Sequence, residues 1–166
     1  MNASRTIRPI EIFIDADACP VKDEVYRVAA RYGLRTHVVA NSYMLIPTHP
    51  TIARVVVRAG PDVADDWIAE RVAPGDVAVT NDIPLAERVL AAGGVAIAPN
   101  GRVFTRDSIG SQIAQRAIME QIRSTGAVTG GPSPFGKADR SRFLQALDEA
   151  INRELRRRRR LSGPTG

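Results

Sequence analysis

Cysteine, histidine and aromatic side chains are all scarce in this sequence, and each scarcity closes off a class of function. The one cysteine, Cys19, excludes an internal disulfide and a cysteine-built zinc site, so a reducing cytoplasm is the expected setting. With only His37 and His49, a histidine-rich metal site is excluded as well. Any metal has to be held by oxygen, which points to Mg2+ or Mn2+. Aromatic residues make up 5% of the chain, too few for a surface that binds single strands by stacking bases on exposed rings. No apolar run is long enough to span a bilayer, and Met1–Arg8 lacks the apolar centre of a signal peptide. A protein that stays in the cytoplasm and off the membrane is expected. Nothing in the sequence specifies an oligomeric state.

What is present fits a globular α/β protein. The 166 residues suffice for one domain with a core of its own, and 44% hydrophobic content is ordinary. The formal charge is +5, but the five consecutive arginines Arg156–Arg160 account for it, and the remainder is close to neutral. A basic isoelectric point therefore does not make the folded part a nucleic-acid binder. The arginine run attracts polyanions by counterion release, and reads as an appendage outside any site.

Apolar and punctuating residues alternate along the chain. Ile10–Asp15 reads as a buried strand, followed by a helix over Val21–Tyr32 that stops at Gly33. Strands are predicted at Thr36–Ala40, Ala53–Arg58, Asp76–Thr80 and Val95–Ala98, and helices at Val63–Val72, Leu85–Ala92, Ser108–Ser124 and Asp139–Arg158. A Gly/Pro-rich loop is expected over Gly126–Gly136, and the last helix is expected to fray into Leu161–Gly166. Strands alternating with helices predict a mostly parallel sheet covered on both faces, a three-layer α/β/α architecture. One domain is expected over residues 10–150, with 151–166 a basic helix end and disordered tail.

Ligands of such sheets bind beyond the carboxyl ends of the strands. Two predicted strands end there in acidic residues, the first in Asp15 and Asp17, the fourth in Thr80-Asn81-Asp82. Asp62, Asp65 and Asp66 open a helix on the same edge. Carboxylates that converge without basic partners repel one another, and a divalent cation is the simplest remedy. Asp15, Asp17, Asp65, Asp66 and Asp82 are therefore the candidate ligands, with Asp15 and Asp82 the candidate catalytic pair. Each also has a purely structural reading: aspartates in a first helical turn favour the helix dipole, and Asp82 before Ile83-Pro84 suits an N-cap. Cys19 reads as buried and inert, and His37 as a core or edge residue. Lys137, Arg140 and Arg142 gather where the last helix begins, and with Lys22 they are candidate phosphate contacts, though a solvated basic face explains the first three equally well.

The strings DADACPVKDEVYRVA (Asp15–Ala29), VVANS (Val38–Ser42), ADDWIAERV (Ala64–Val72), VTNDIPLAERVL (Val79–Leu90) and TGGPSPFGKADRSRFLQALD (Thr129–Asp148) resemble the YaiI/YqxD family of uncharacterised bacterial proteins. Five ordered blocks over residues 10 to 150 make the match specific, and the arginine tail lies outside it. Members of that family look similar to the PIN/NYN-like nuclease superfamily, in which acidic residues at strand ends bind magnesium or manganese. The resemblance implies a PIN-like domain in which Asp15 closes the first strand, Asp82 follows the fourth, and Asp65 or Asp66 sits between. Asp17 has no counterpart in that pattern.

Three functions follow as expectations. The first is a divalent-metal-dependent nuclease, acting on RNA before DNA. The second is a phosphatase of the haloacid dehalogenase type with Asp15 as nucleophile, suggested by the Asp15-Ala16-Asp17 spacing. Against it, Asp65-Asp66 precede Thr80, the reverse of that mechanism's order. The third is a non-catalytic module that binds nucleic acid.

Overall fold

The computed structural model describes residues 7–124 and 134–163, with the side chains at 116, 120 and 122–124 also left undescribed. Its elements, in order, are β1 (Glu11–Asp15), a single 3-10 turn (Ala16–Ala18), α1 (Lys22–Tyr32), β2 (Arg35–Ala40), β3 (Ile52–Val56), α2 (Val63–Arg71), β4 (Val77–Val79), α3 (Ile83–Ala91), β5 (Val95–Ile97), α4 (Arg106–Ser124) and α5 (Lys137–Ser162). Every predicted strand and helix is present. Of the predicted Gly/Pro loop, all but residues 134–136 lies outside the described residues.

The strands form one sheet in the order β3-β2-β1-β4-β5, and each neighbouring pair is parallel. Strand side chains alternate between the two faces, because successive residues of a pleated strand point opposite ways. Ile12 and Ile14 pack with Val77, Val79 and Ile97 under α1 and α5, where Val25, Phe143, Leu147 and Ile151 complete the core. Phe13, Val39, Ala78 and Ala96 face the other side and meet Ile68, Leu85 and Val89 of α2 and α3. A strand covered on both faces has no room for polar alternation, which is why Ile12–Ile14 and Val77–Val79 are continuous apolar runs. The result is the expected three-layer α/β/α sandwich.

Strand order fixes where chemistry can occur. From β1 the chain moves outward to β2 and β3, then returns to β4 on the other side of β1. The connections leave β1 and β4 in opposite directions, so their carboxyl ends flank a crevice, the topological switch point of an open α/β sheet.

α5 departs from the expected fraying: it continues through the whole arginine run to Ser162. Arg158 lies on the buried face that Phe143, Leu147 and Ile151 begin. It donates from Nε to Glu154 Oε1 at 2.9 Å and from Nη1 to the Arg8 carbonyl at 2.7 Å. Arg157 also pairs with Glu154, while Arg156, Arg159 and Arg160 are exposed. Basic residues at a helix carboxyl end are favoured by the macrodipole, which adds to arginine's good helix propensity.

Gly101 sets the turn after β5. Its φ of +91° favours glycine, and a Cβ there would stand 2.6 Å from the Arg142 carbonyl carbon of α5. Gly101→Ala is expected to cost about 3 kcal/mol, since strain in φ and a clash with helix backbone act together. Urea unfolding checks this, and a loss below about 1 kcal/mol would contradict the packing.

Candidate metal site at the switch point

β1 is apolar and buried over Ile12–Ile14, and Asp15 then emerges half-buried at the crevice. Across from it β4 ends and Thr80 follows, 2% exposed. The Thr80 hydroxyl donates to Asp15 Oδ2 at 2.8 Å and accepts from the Asp82 N–H at 3.0 Å. One side chain thus fixes both aspartates. Asp82 Oδ1 accepts from the Leu85 N–H at 2.8 Å, so the N-cap reading of Asp82 is correct as far as one oxygen goes. No hydrogen bond among the described residues engages Asp15 Oδ1 or Asp82 Oδ2.

Asp65, in the first turn of α2, is the third member. Burial and then the charges of Asp82, Asp15 and Asp62 push its carboxyl up to about 6, while Arg88 acts in the opposite sense. Asp15 is also raised, first by burial and then by Asp82 and Asp17, against the lowering effect of the Thr80 hydrogen bond. Three carboxylates from three elements thus feel one another, as the sequence predicted. No lysine or arginine stands within ion-pair distance of Asp15, Asp65 or Asp82 among the described residues.

The other candidates divide differently. Asp66 pairs with Arg88 at 2.6 Å on the surface, so its charge is already matched and it is a poor ligand. Asp17 is exposed, and both its oxygens accept from the Asn41 N–H, at 2.9 and 3.2 Å. It fastens the turn after β1 to the end of β2, a structural role. Lys22 donates to the Cys19 carbonyl at 2.7 Å and braces the same turn. Arg140 reaches the Pro20 carbonyl at 2.7 Å and Glu24 at 3.1 Å, and Arg142 pairs with Asp139 at 2.5 Å. Of the four basic candidates, Lys137 alone is exposed with no such partner among the described residues.

Cys19 and His37 follow their bland readings. Burial pushes the Cys19 thiol up, away from a reactive thiolate. His37, midway along β2 and in register with Phe13, stacks on that ring with centroids 4.7 Å apart and bonds Glu11 Oε1 at 2.7 Å.

Among the described residues, no group of three His, Cys, Asp or Glu is arranged to enclose one ion. That geometry disfavours a closed all-protein cage. Mg2+ does not need such a cage, since it keeps several waters and is commonly held by one or two carboxylates together with substrate phosphates. Asp15 and Asp82, each with an uncommitted oxygen and no matching cation, fit such a site.

Thr80 is the residue whose role sequence reasoning missed. The available signal was a hydroxyl at the end of an otherwise apolar strand, which needs a partner when buried. That the partner would be Asp15 follows only once β1 and β4 are neighbours.

Fold and crevice together define a doubly wound α/β protein with an acidic, under-neutralised switch point. The chain belongs to the "Uncharacterized BCR, YaiI/YqxD family", whose model matches residues 13–153. It is 67% identical over 140 residues to a UPF0178 protein of Caulobacter vibrioides (strain NA1000 / CB15N), covering 84% of this chain and 92% of that one. It is 56% identical over 150 residues to a UPF0178 protein of Rhodopseudomonas palustris (strain HaA2), covering 90% and 92%. No solved structure matches the chain. Among the described residues, no helix is long and apolar enough to cross a membrane.

Proposed function

We propose that the switch-point crevice binds Mg2+ or Mn2+ and hydrolyses phosphodiester bonds of nucleic acid, RNA before DNA. The observation that carries this reading is the convergence of Asp15, Asp65 and Asp82 with no ion-pair partner among the described residues, so that burial and the neighbouring aspartate charges raise Asp15 and Asp65. The order RNA before DNA, and the PIN-like comparison, rest on the resemblance of the family to metal-dependent nucleases. A divalent ion in such a site supplies Lewis acidity and an activated water at neutral pH. Asp15 and Asp82 hold the ion, Thr80 keeps the two carboxylates in register, and Asp65 adds negative charge from α2. Lys137, on the same edge of the sheet, contacts phosphate.

The test is cleavage of labelled RNA and DNA oligonucleotides with Mg2+, with Mn2+ and with chelator. Cleavage that needs a metal supports the reading, and inertness toward all substrates with both metals overturns it. A pH series adds a signature. Loss of the Asp65 proton adds negative charge beside the ion, so Mn2+ affinity should climb as pH rises through about 6 and level off above it. Without metal the sign reverses. A carboxyl whose folded pKa is raised favours the fold when protonated, a contribution present below the ordinary value of 3.8 and lost as pH rises through about 6. Metal-induced gain in Tm should therefore widen from pH 5 to pH 7. A gain that is flat with pH contradicts the role of Asp65.

A further inference from the structure

Beside the acidic crevice lies a second feature that the metal reading leaves unused. A pocket of about 370 Å³ opens between the ends of β4 and β5 and the middle of α4. Its polar lining is Asn81, Asn100, Arg102, Gln112 and Gln115, and Ile83, Phe104 and Met119 are among its apolar lining. Asn81 is the residue between Thr80 and Asp82, so the pocket begins one residue from each side chain that fixes the crevice. Gly101, held against α5, turns Asn100 and Arg102 toward the pocket from the β5 side.

The chemistry of the lining is specific. It contains no carboxylate, so it does not suit a cation. Four carboxamides present donors and acceptors side by side, the arrangement that pairs with the edge of a nucleobase, adenine above all. Asn100 Oδ1 already accepts from the Arg102 N–H at 3.0 Å, which leaves its amide N–H groups available. Gln112 lines the pocket, but its Oε1 is buried without a hydrogen-bond partner, so the carboxamide has to turn for that oxygen to meet a ligand; the orphaned oxygen costs about 1–3 kcal/mol and favours the turn. On the apolar side, Met119 is 40% exposed and offers a thioether to the face of a flat ring.

We propose that this pocket is a nucleobase subsite. It seats the base of a nucleotide whose phosphodiester lies at Asp15 and Asp82. Its use in substrate choice rests on the nuclease reading, but base binding can be measured without metal or cleavage.

The experiment uses isotopically labelled full-length protein in chelator, titrated with AMP and with ribose 5-phosphate, which shares the sugar and phosphate but lacks the base. AMP is expected to bind at least about tenfold more tightly and to shift the side-chain amide signals of Asn100 and Gln112. Gln112→Leu keeps the helix and the volume, and is expected to bring the two ligands within about threefold of each other with Tm unchanged or higher. Asp15→Asn should retain the AMP preference. Equal binding of the two ligands, absence of binding by both, or a Gln112→Leu protein that prefers AMP as the wild type does would each overturn the subsite. An intact AMP preference in a protein that cleaves nothing overturns the nuclease reading alone and supports the subsite.

Discussion

Asp15→Asn is expected to reduce metal-dependent cleavage by at least about a hundredfold while leaving the protein as stable as before, or more so. The two halves of this expectation have one cause. Asp15 is raised from its ordinary range because burial and the charges of Asp82 and Asp17 disfavour its ionised form. In the metal-free fold that charge is therefore a cost, and a neutral amide of the same shape removes it. The Thr80 hydroxyl, now 2.8 Å from Asp15 Oδ2, can donate to the amide oxygen equally well. Cleavage rates on labelled RNA and Tm in chelator above pH 7 check both halves. Asp82→Asn is the natural companion, because Asn caps a helix as well as Asp and preserves the start of α3. If Asp15→Asn melts earlier and cleaves normally, Asp15 is part of the scaffold and the site is elsewhere.

How far this was legible in the sequence depends on the range of the interaction. The strands and helices were legible because their signals are local. Ile12–Ile14 and Val77–Val79 are apolar runs bounded by polar residues, and Gly33 stands where α1 has to stop, at φ +65°. The acidic edge was legible one step further out, because an alternating α/β order implies a parallel sheet, and a parallel sheet places strand carboxyl ends together. Pairings between side chains of different elements were not. Nothing near Asp66 announces Arg88, and nothing near Asp17 announces the Asn41 N–H, so both aspartates read as ligands although each already has a partner. The end of α5 failed for another reason. A run of five identical residues has no hydrophobic period, so it concealed that Arg158 continues the buried face of Phe143, Leu147 and Ile151. Long arginine stems can cover apolar surface and carry the charge outward, which is how a run that reads as tail becomes the last turns of a packed helix.

Asp76→Ala is expected to cost about 3 kcal/mol of stability, close to 10 °C in Tm for a domain of this size, without touching the crevice. Asp76 and Asp15 occupy opposite ends of neighbouring strands and are opposites in satisfaction. Asp76, 1% exposed, accepts four hydrogen bonds. Two come from Arg8, at 3.2 and 2.7 Å, one from the Glu11 N–H at 2.9 Å and one from the Ala73 N–H at 2.9 Å. The carboxylate thus ties the entry of β1 to the entry of β4, and its removal leaves two backbone donors unmatched, while Arg8 keeps its ion pair with Glu11. Arg8→Ala should be milder, about 1 kcal/mol or less, because Arg8 is 41% exposed and the carboxylate would keep both backbone donors. Equilibrium unfolding in urea separates the two variants. Equal losses from both would mean that the exposed half of the ion pair, and not the buried carboxylate, holds the strand entries together. Below its Tm the Asp76→Ala protein should retain metal-dependent cleavage, because its lesion lies at the amino edge of the sheet and Asp15, Thr80 and Asp82 lie at the carboxyl edge.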